Sequence, residues 1–211
     1  MQPTKSNDFN EIVLGRRSIR SYDQSVKISR DELSEIIAEA SKAPSSVNLQ
    51  PWRFVVIDTP EGKETLTPLA KFNKTQVETS SAVIAVFADM QSQEYLEGIL
   101  TTAVEKGFMP QEVKDRQMKT VAGLLAGMSY DQLKEMNVID ASLISMQLML
   151  VARAHGYDTN PMGGYEKGKI AEAFNMDKER YYPVMLLSIG KANEEGYSSS
   201  RLDVNQIVEW R

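Results

Sequence analysis

The stretch from Ile139 to Ala154 limits what this chain can fold into more than any other. Leu143, Ile144, Met146, Leu148, Met149, Leu150 and Val151 fall within it, and at helical spacing they occupy most of the circumference. A helix that is apolar nearly all round has to be surrounded by protein. The chain is therefore expected to build around a buried central helix. Arg153-Ala154-His155-Gly156 reads as its last turn, with glycine past the end and a histidine where the helix dipole favours a cation.

Other elements can be read around it. Ala82 to Ala88 is the longest unbroken apolar run; it is too short to span a membrane and reads as a strand covered on both faces. Phe54-Val55-Val56-Ile57 and Pro183 to Ile189 read as two more strands. Asp8 can cap a short helix running to about Leu14. Ser29-Arg30-Asp31-Glu32 is a capping box opening a helix with Leu33, Ile36, Ile37 and Ala40 on one face, which ends before Pro44. Pro60 suits the first turn of another helix. Residues 91–126 look helical in pieces, interrupted near Gly107 and Pro110. Three strands with more helix than sheet give an α+β or α/β class.

Composition removes several function classes. The chain has 211 residues with 42% apolar and 25% charged, an ordinary globular balance. No repeat or flexible linker breaks it, so one domain over 1–211 is expected. The 29 acidic residues outnumber the 24 basic ones, and a net charge of −5 argues against nucleic acid or an anionic membrane as a partner. There is no cysteine, so disulfides and thiolate ligands are excluded. Met1 to Asn10 lacks an apolar signal core, and a cytosolic, cytoplasmic protein is expected. A single histidine, His155, cannot form a histidine-based metal site, and a Ser–His–Asp triad would have to use it. Redox chemistry carried by an organic cofactor needs few reactive side chains and gains weight.

Three segments could hold such a group. In Arg16-Arg17-Ser18-Ile19-Arg20, Arg16 and Arg20 converge whether the backbone is helical or extended, and in the extended case Ser18 joins them. Two guanidinium forks and a hydroxyl suit a phosphate monoester, although a solvated basic turn has the same composition. Ser45, Ser46, Asn48 and Gln50 lie between Pro44 and Pro51, where carboxamides match the edge of a pyrimidine-like ring; a rigid polar turn is the plainer alternative. Pro161-Met162-Gly163-Gly164 lets a flat ring approach the backbone, or forms an ordinary turn. Gly163 to Lys169 imitates the start of a P-loop, but Ile170 stands where the metal-binding hydroxyl belongs. No G-x-G-x-x-G fingerprint is present.

Taken in order and at this spacing, these segments resemble the nitroreductase family of FMN enzymes, over Asp8 to Arg211. The resemblance implies an α+β, nitroreductase-like fold, a mixed sheet flanked by helices, in an intertwined homodimer whose polar C-terminal tails cross the partner. It implies FMN sites at the dimer interface, with Arg16, Arg17, Ser18, Arg20 and the tail residue Arg201 on the phosphate and ribityl chain. Ser45, Ser46 and Asn48 would come from the other subunit. Asn73 would contact the flavin's pyrimidine side; Gln76 stands where many relatives carry lysine. Pro161, Met162, Gly163 and Gly164 would lie along the ring. Gly163 replaces a glutamate of many relatives, whose backbone N–H reaches flavin N5. The implied activity is ping-pong hydride transfer from NADPH or NADH to a small electron-poor molecule, with no catalytic side chain and no metal. Other readings are a same-fold flavin enzyme of different chemistry, such as reductive dehalogenation or flavin destruction, a flavin-binding redox sensor, and a phosphate-responsive protein without flavin.

Overall fold

The Ala82 run forms the middle of the structure, a computed structural model that describes residues 5–211; Met1 to Thr4 of the polar N-terminal stretch lie outside the described residues. Strand β2, Ala82–Asp89, is buried at every position. Its side chains alternate between two cores, as the two-residue strand period dictates. Ala82, Ile84, Val86 and Ala88 pack with residues of helices α2 (Arg30–Ala40) and α7 (Tyr130–Ala154). Val83, Ala85 and Phe87 pack with residues of α3 (Pro60–Leu66), α4 (Lys74–Thr79) and α8 (Lys167–Ala173). Helices on both faces explain why the run is continuous rather than alternating.

The sheet is completed by β1 (Trp52–Ile57), β4 (Tyr181–Gly190) and β3 (Asp158–Met162), in the order β1-β2-β4-β3. All three ladders are antiparallel. The expected mixed sheet is corrected accordingly: among the described residues the one parallel pairing is an isolated bridge, Ser18 to Thr159, on the outer edge of β3. Strand β3 was not foreseen, because Thr159-Asn160-Pro161-Met162-Gly163-Gly164 has turn composition. An edge position makes it possible. Thr159 turns its carbonyl outward to accept from Ile19 N–H at 3.2 Å, so Pro161, two residues on, also aims its missing donor away from β4.

The helix starts follow local chemistry. Asp8 accepts from Glu11 N–H to open α1 (Phe9–Gly15), and Ser29 accepts from Glu32 N–H to open α2. Pro60 stands in the first turn of α3, as expected. Helices α5 (Leu96–Glu105) and α6 (Gln111–Ala126) form a hairpin with its own small core of Leu49, Leu96, Leu100 and Val121.

Helix α7 begins nine residues before the apolar stretch, at a capping box of Ser129 and Gln132. It is long and apolar enough to cross a membrane by length and composition alone. One face, with Asn137, Asp140, Ala141, Ile144, Ser145, Leu148, Met149 and Ala152, is buried in the chain. The other leaves Ile139, Leu143 and Met146 exposed at 54%, 44% and 41%. The expected all-round burial is therefore half met within a single chain. The exposed three recur at i, i+4 and i+7, one apolar stripe without a cover.

Candidate functional site

The arginine segment runs extended from the end of α1. Arg16, just past Gly15, has φ −60° and ψ 131°, and Ser18 bridges to Thr159. Ile19 turns inward, 2% exposed, while Arg20 is exposed. The chain leaving β4 runs back alongside: Tyr22 bridges to Ala192, Glu194 Oε1 accepts from Arg20 N–H at 2.6 Å, and the Arg20 guanidinium lies 4.8 Å from the Tyr197 ring centre. Gly196, at φ +73°, comes so close that an added Cβ would stand 2.9 Å from the Arg17 Cβ. Arg17 Nη1 donates to the Leu14 and Arg16 carbonyls.

Arg16 Nη1 is buried with no hydrogen-bond partner among the described residues. The guanidinium groups of Arg16, Arg17, Arg20 and Arg201 also have no carboxylate within 4.0 Å there. A buried guanidinium nitrogen left unpaired is costly, and an anion at this edge removes the cost. Among the described residues Arg201 donates only to its neighbours, Ser199 Oγ at 2.7 Å and Ser200 O at 2.8 Å, in the exposed tail.

The same edge gathers the third segment and two side chains from the start of α4, Asn73 at its N-cap and Gln76 within it. Beyond β3, Gly163 and Gly164 are exposed, and nothing lies within 4 Å of a Cβ built on Gly163. Asn73 Nδ2 donates to Gly164 O at 3.1 Å, and Gln76 Nε2 donates to Asn73 Oδ1 at 3.3 Å. Met162 is buried under this corner. The structure thus brings Arg16, Arg17, Ser18, Arg20, Asn73, Gln76 and Pro161 to Gly164 to one side of the molecule. It has a bare backbone platform and an electropositive edge, fitting a flat ring with a phosphate.

Ser45, Ser46 and Asn48 do not join them within the chain. Their loop leads into β1, at the opposite edge of the sheet. Four interstrand steps of about 4.8 Å separate β1 from the Ser18 bridge, roughly 19 Å. The loop is tightly held. Ser46 N–H donates to both Asp140 oxygens at 3.0 Å, Ser46 Oγ donates to Oδ1 at 3.1 Å, and Ser45 Oγ accepts from Gln50 N–H. Burial pushes the Asp140 carboxyl above the usual range, opposed by its bonds from Ser46. Val47, Asn48 and Gln50 have φ of 46°, 57° and 50°, a left-handed conformation that is unfavourable for a β-branched residue above all. Such strain persists where the surroundings over-determine a shape. Asp140 escaped the sequence reading; the signal was a carboxylate on the buried face of an apolar helix.

Antiparallel sheet, helical layers and a cationic edge beside bare glycines define the class of proteins that hold flat, phosphorylated cofactors. The family model described as the nitroreductase family matches residues 13–191, and the chain belongs to that family. It is 64% identical over 207 residues to the Bacillus subtilis protein named "Putative NAD(P)H nitroreductase YdgI", covering 98% of this chain and 99% of that one. It is 41% identical to the CLA biosynthesis enone reductase of Lactiplantibacillus plantarum, over 97% of this chain and 95% of the relative. Among solved structures, that of a "putative nitroreductase in complex with FMN" from Exiguobacterium sibiricum 255-15 superposes with a TM-score of 0.98 at 63% identity, covering 99% of this chain and 100% of that one.

Proposed function

We propose that this protein is a cytoplasmic, homodimeric FMN oxidoreductase that takes electrons from NAD(P)H and delivers them to small electron-poor acceptors such as nitroaromatics and quinones. The observation that carries the reading is the unpaired, buried Arg16 Nη1 on the edge that also presents Ser18 and Arg20. When bound, FMN supplies two-electron chemistry, with hydride arriving at N5 from the nicotinamide and leaving to the acceptor.

The chain's own residues bind and orient. Arg16, Ser18 and Arg20 hold the phosphate, Arg17 and Arg201 support the same end, and Asn73 with Gln76 faces the polar side of the ring. Pro161 to Gly164 lie along it, and the open space over Gly163 admits the nicotinamide and the acceptor in turn, a ping-pong order. The chain needs no nucleophile for this and no metal.

Ser45, Ser46 and Asn48 complete the site from the partner subunit. Their distance from the arginine edge within one chain supports this, as do the uncovered stripe on α7 and the exposed tail residues Ile207 and Trp210. A second reading, reduction of an activated carbon–carbon double bond, is favoured by the 41% identity to an enone reductase.

The test is the visible spectrum of the purified protein with FMN, recorded anaerobically before and after NADPH or NADH. Bleaching supports the proposal, and the faster nicotinamide identifies the donor. Bound flavin that neither reduces moves the function to redox sensing. A protein that refuses FMN refutes the proposal.

A further inference from the structure

The α5–α6 hairpin carries a cavity of about 570 Å³ that opens beside the Ser45–Asn48 loop. Leu96, Ile99, Leu100 and Val121 line its body, with Ser45 and Asn48 on one wall. Leu96, Leu100 and Val121 are nearly inaccessible and belong to the hairpin's own core, so the cavity has a rigid floor. Its volume lies in the range of small-molecule sites, and apolar walls with few polar groups are their usual make-up.

Among the described residues Arg116 is the one charged side chain lining it. Among the polar groups of α6 that line it, Gln117 is uncharged and Thr120 donates its hydroxyl to the Arg116 carbonyl. Lys114 Nζ donates to Thr101 Oγ1 at 2.7 Å and ties the two helices together, while Gln111 Nε2 donates to Asp115 Oδ1 at 2.8 Å. The Arg116 guanidinium has no carboxylate within 4.0 Å among the described residues, although Glu112 and Asp115 are close in sequence. On α6 it stands five residues, about 7.5 Å, from the deep Val121. A largely apolar cavity whose lining carries one guanidinium free of carboxylates is complementary to an apolar molecule with one carboxylate.

We propose that this cavity takes apolar monocarboxylates, with Arg116 holding the carboxylate and the apolar body lying along Leu96, Ile99 and Leu100 towards Asn48. The inference rests on the flavin reading only in making these molecules acceptors, since the loop beside the cavity is the one assigned to the partner's flavin. Arg116 is thus a specificity residue, outside electron transfer.

The test is calorimetric titration of the FMN-loaded protein with 4-phenylbutanoate and with its primary amide, neither of which carries a reducible group. The acid is expected to bind about tenfold tighter than the amide. Arg116→Gln should bring the acid down to the amide's affinity, Arg116→Lys should restore part of the difference, and Ile99→Trp should abolish both by filling the trough. Equal affinity of acid and amide in the unaltered protein overturns the proposal, as does an acid preference that survives Arg116→Gln. A protein that retains no FMN refutes the flavin reading instead, and the preference of the flavin-free chain still decides for or against carboxylate binding.

Discussion

Arg20 shows how one side chain can be held for a ligand without being neutralised. Its backbone N–H is fixed by Glu194 and its guanidinium is steered by Tyr197, while among the described residues no carboxylate lies within 4.0 Å of the guanidinium. Arg20→Ala is expected to weaken FMN retention by roughly 1.5–3 kcal/mol, the range for a hydrogen bond to a charged group. FMN titration monitored by flavin fluorescence checks this, and unchanged affinity would place Arg20 off the phosphate. Lys63 offers a pH test remote from the site. Burial, helped by the nearby Lys27, brings its ammonium down from 10.5 to about 8, and its Nζ donates to the Ser80 carbonyl. Between those pH values the unfolded chain binds more protons than the folded one, so stability contributed at this site rises with pH. The stability difference between the native protein and Lys63→Gln should be flat below pH 8 and climb towards 10.5. Urea unfolding across that range measures it, and a flat difference throughout would mean that Lys63 is solvated.

Elements were legible where local chemistry and packing agree. The α2 cap, the Pro60 start and the doubly covered β2 follow from a hydroxyl, a fixed φ and a continuous apolar run. Strand β3 was not legible, because its pairing is set by β4 and by the edge geometry that tolerates Pro161. The Ser45–Gln50 loop was legible as a candidate ligand segment but not as a strained one. Val47 and Asn48 carry no glycine signal for positive φ, and the clamp lies 94 residues away on α7. Asp140→Ala should therefore free the loop. The Ser46 amide is expected to exchange with deuterium at least about tenfold faster, with Asp140→Asn in between because it keeps one acceptor. Unchanged protection of that amide would show that the loop is held by something other than Asp140.

At the scale of the molecule, the candidate site divides along the sheet. The arginine edge, Asn73 and the glycine platform were legible as segments, and the fold gathers them. That the Ser45–Asn48 loop stands at the other edge could not be read without the strand order. Complementation tests the two-chain arrangement. Chains carrying Arg20→Ala and chains carrying Asp140→Ala, co-expressed under different tags, should form mixed dimers with one intact site and one doubly damaged site. Flavin content of the isolated mixed dimer near half that of the native protein is the expected result. If both segments served one site within a chain, each site would carry one lesion and the mixed dimer would be no better than its parents.

The edge-to-edge division has a further consequence for the cofactor itself. A flavin gripped from two chains links its own retention to protein concentration. On the proposed two-chain site, dilution that separates the subunits would remove half of each grip, so the protein is expected to be yellow in a concentrated stock and to shed its colour as it is diluted. Reciprocally, added flavin lowers the concentration at which the chains part.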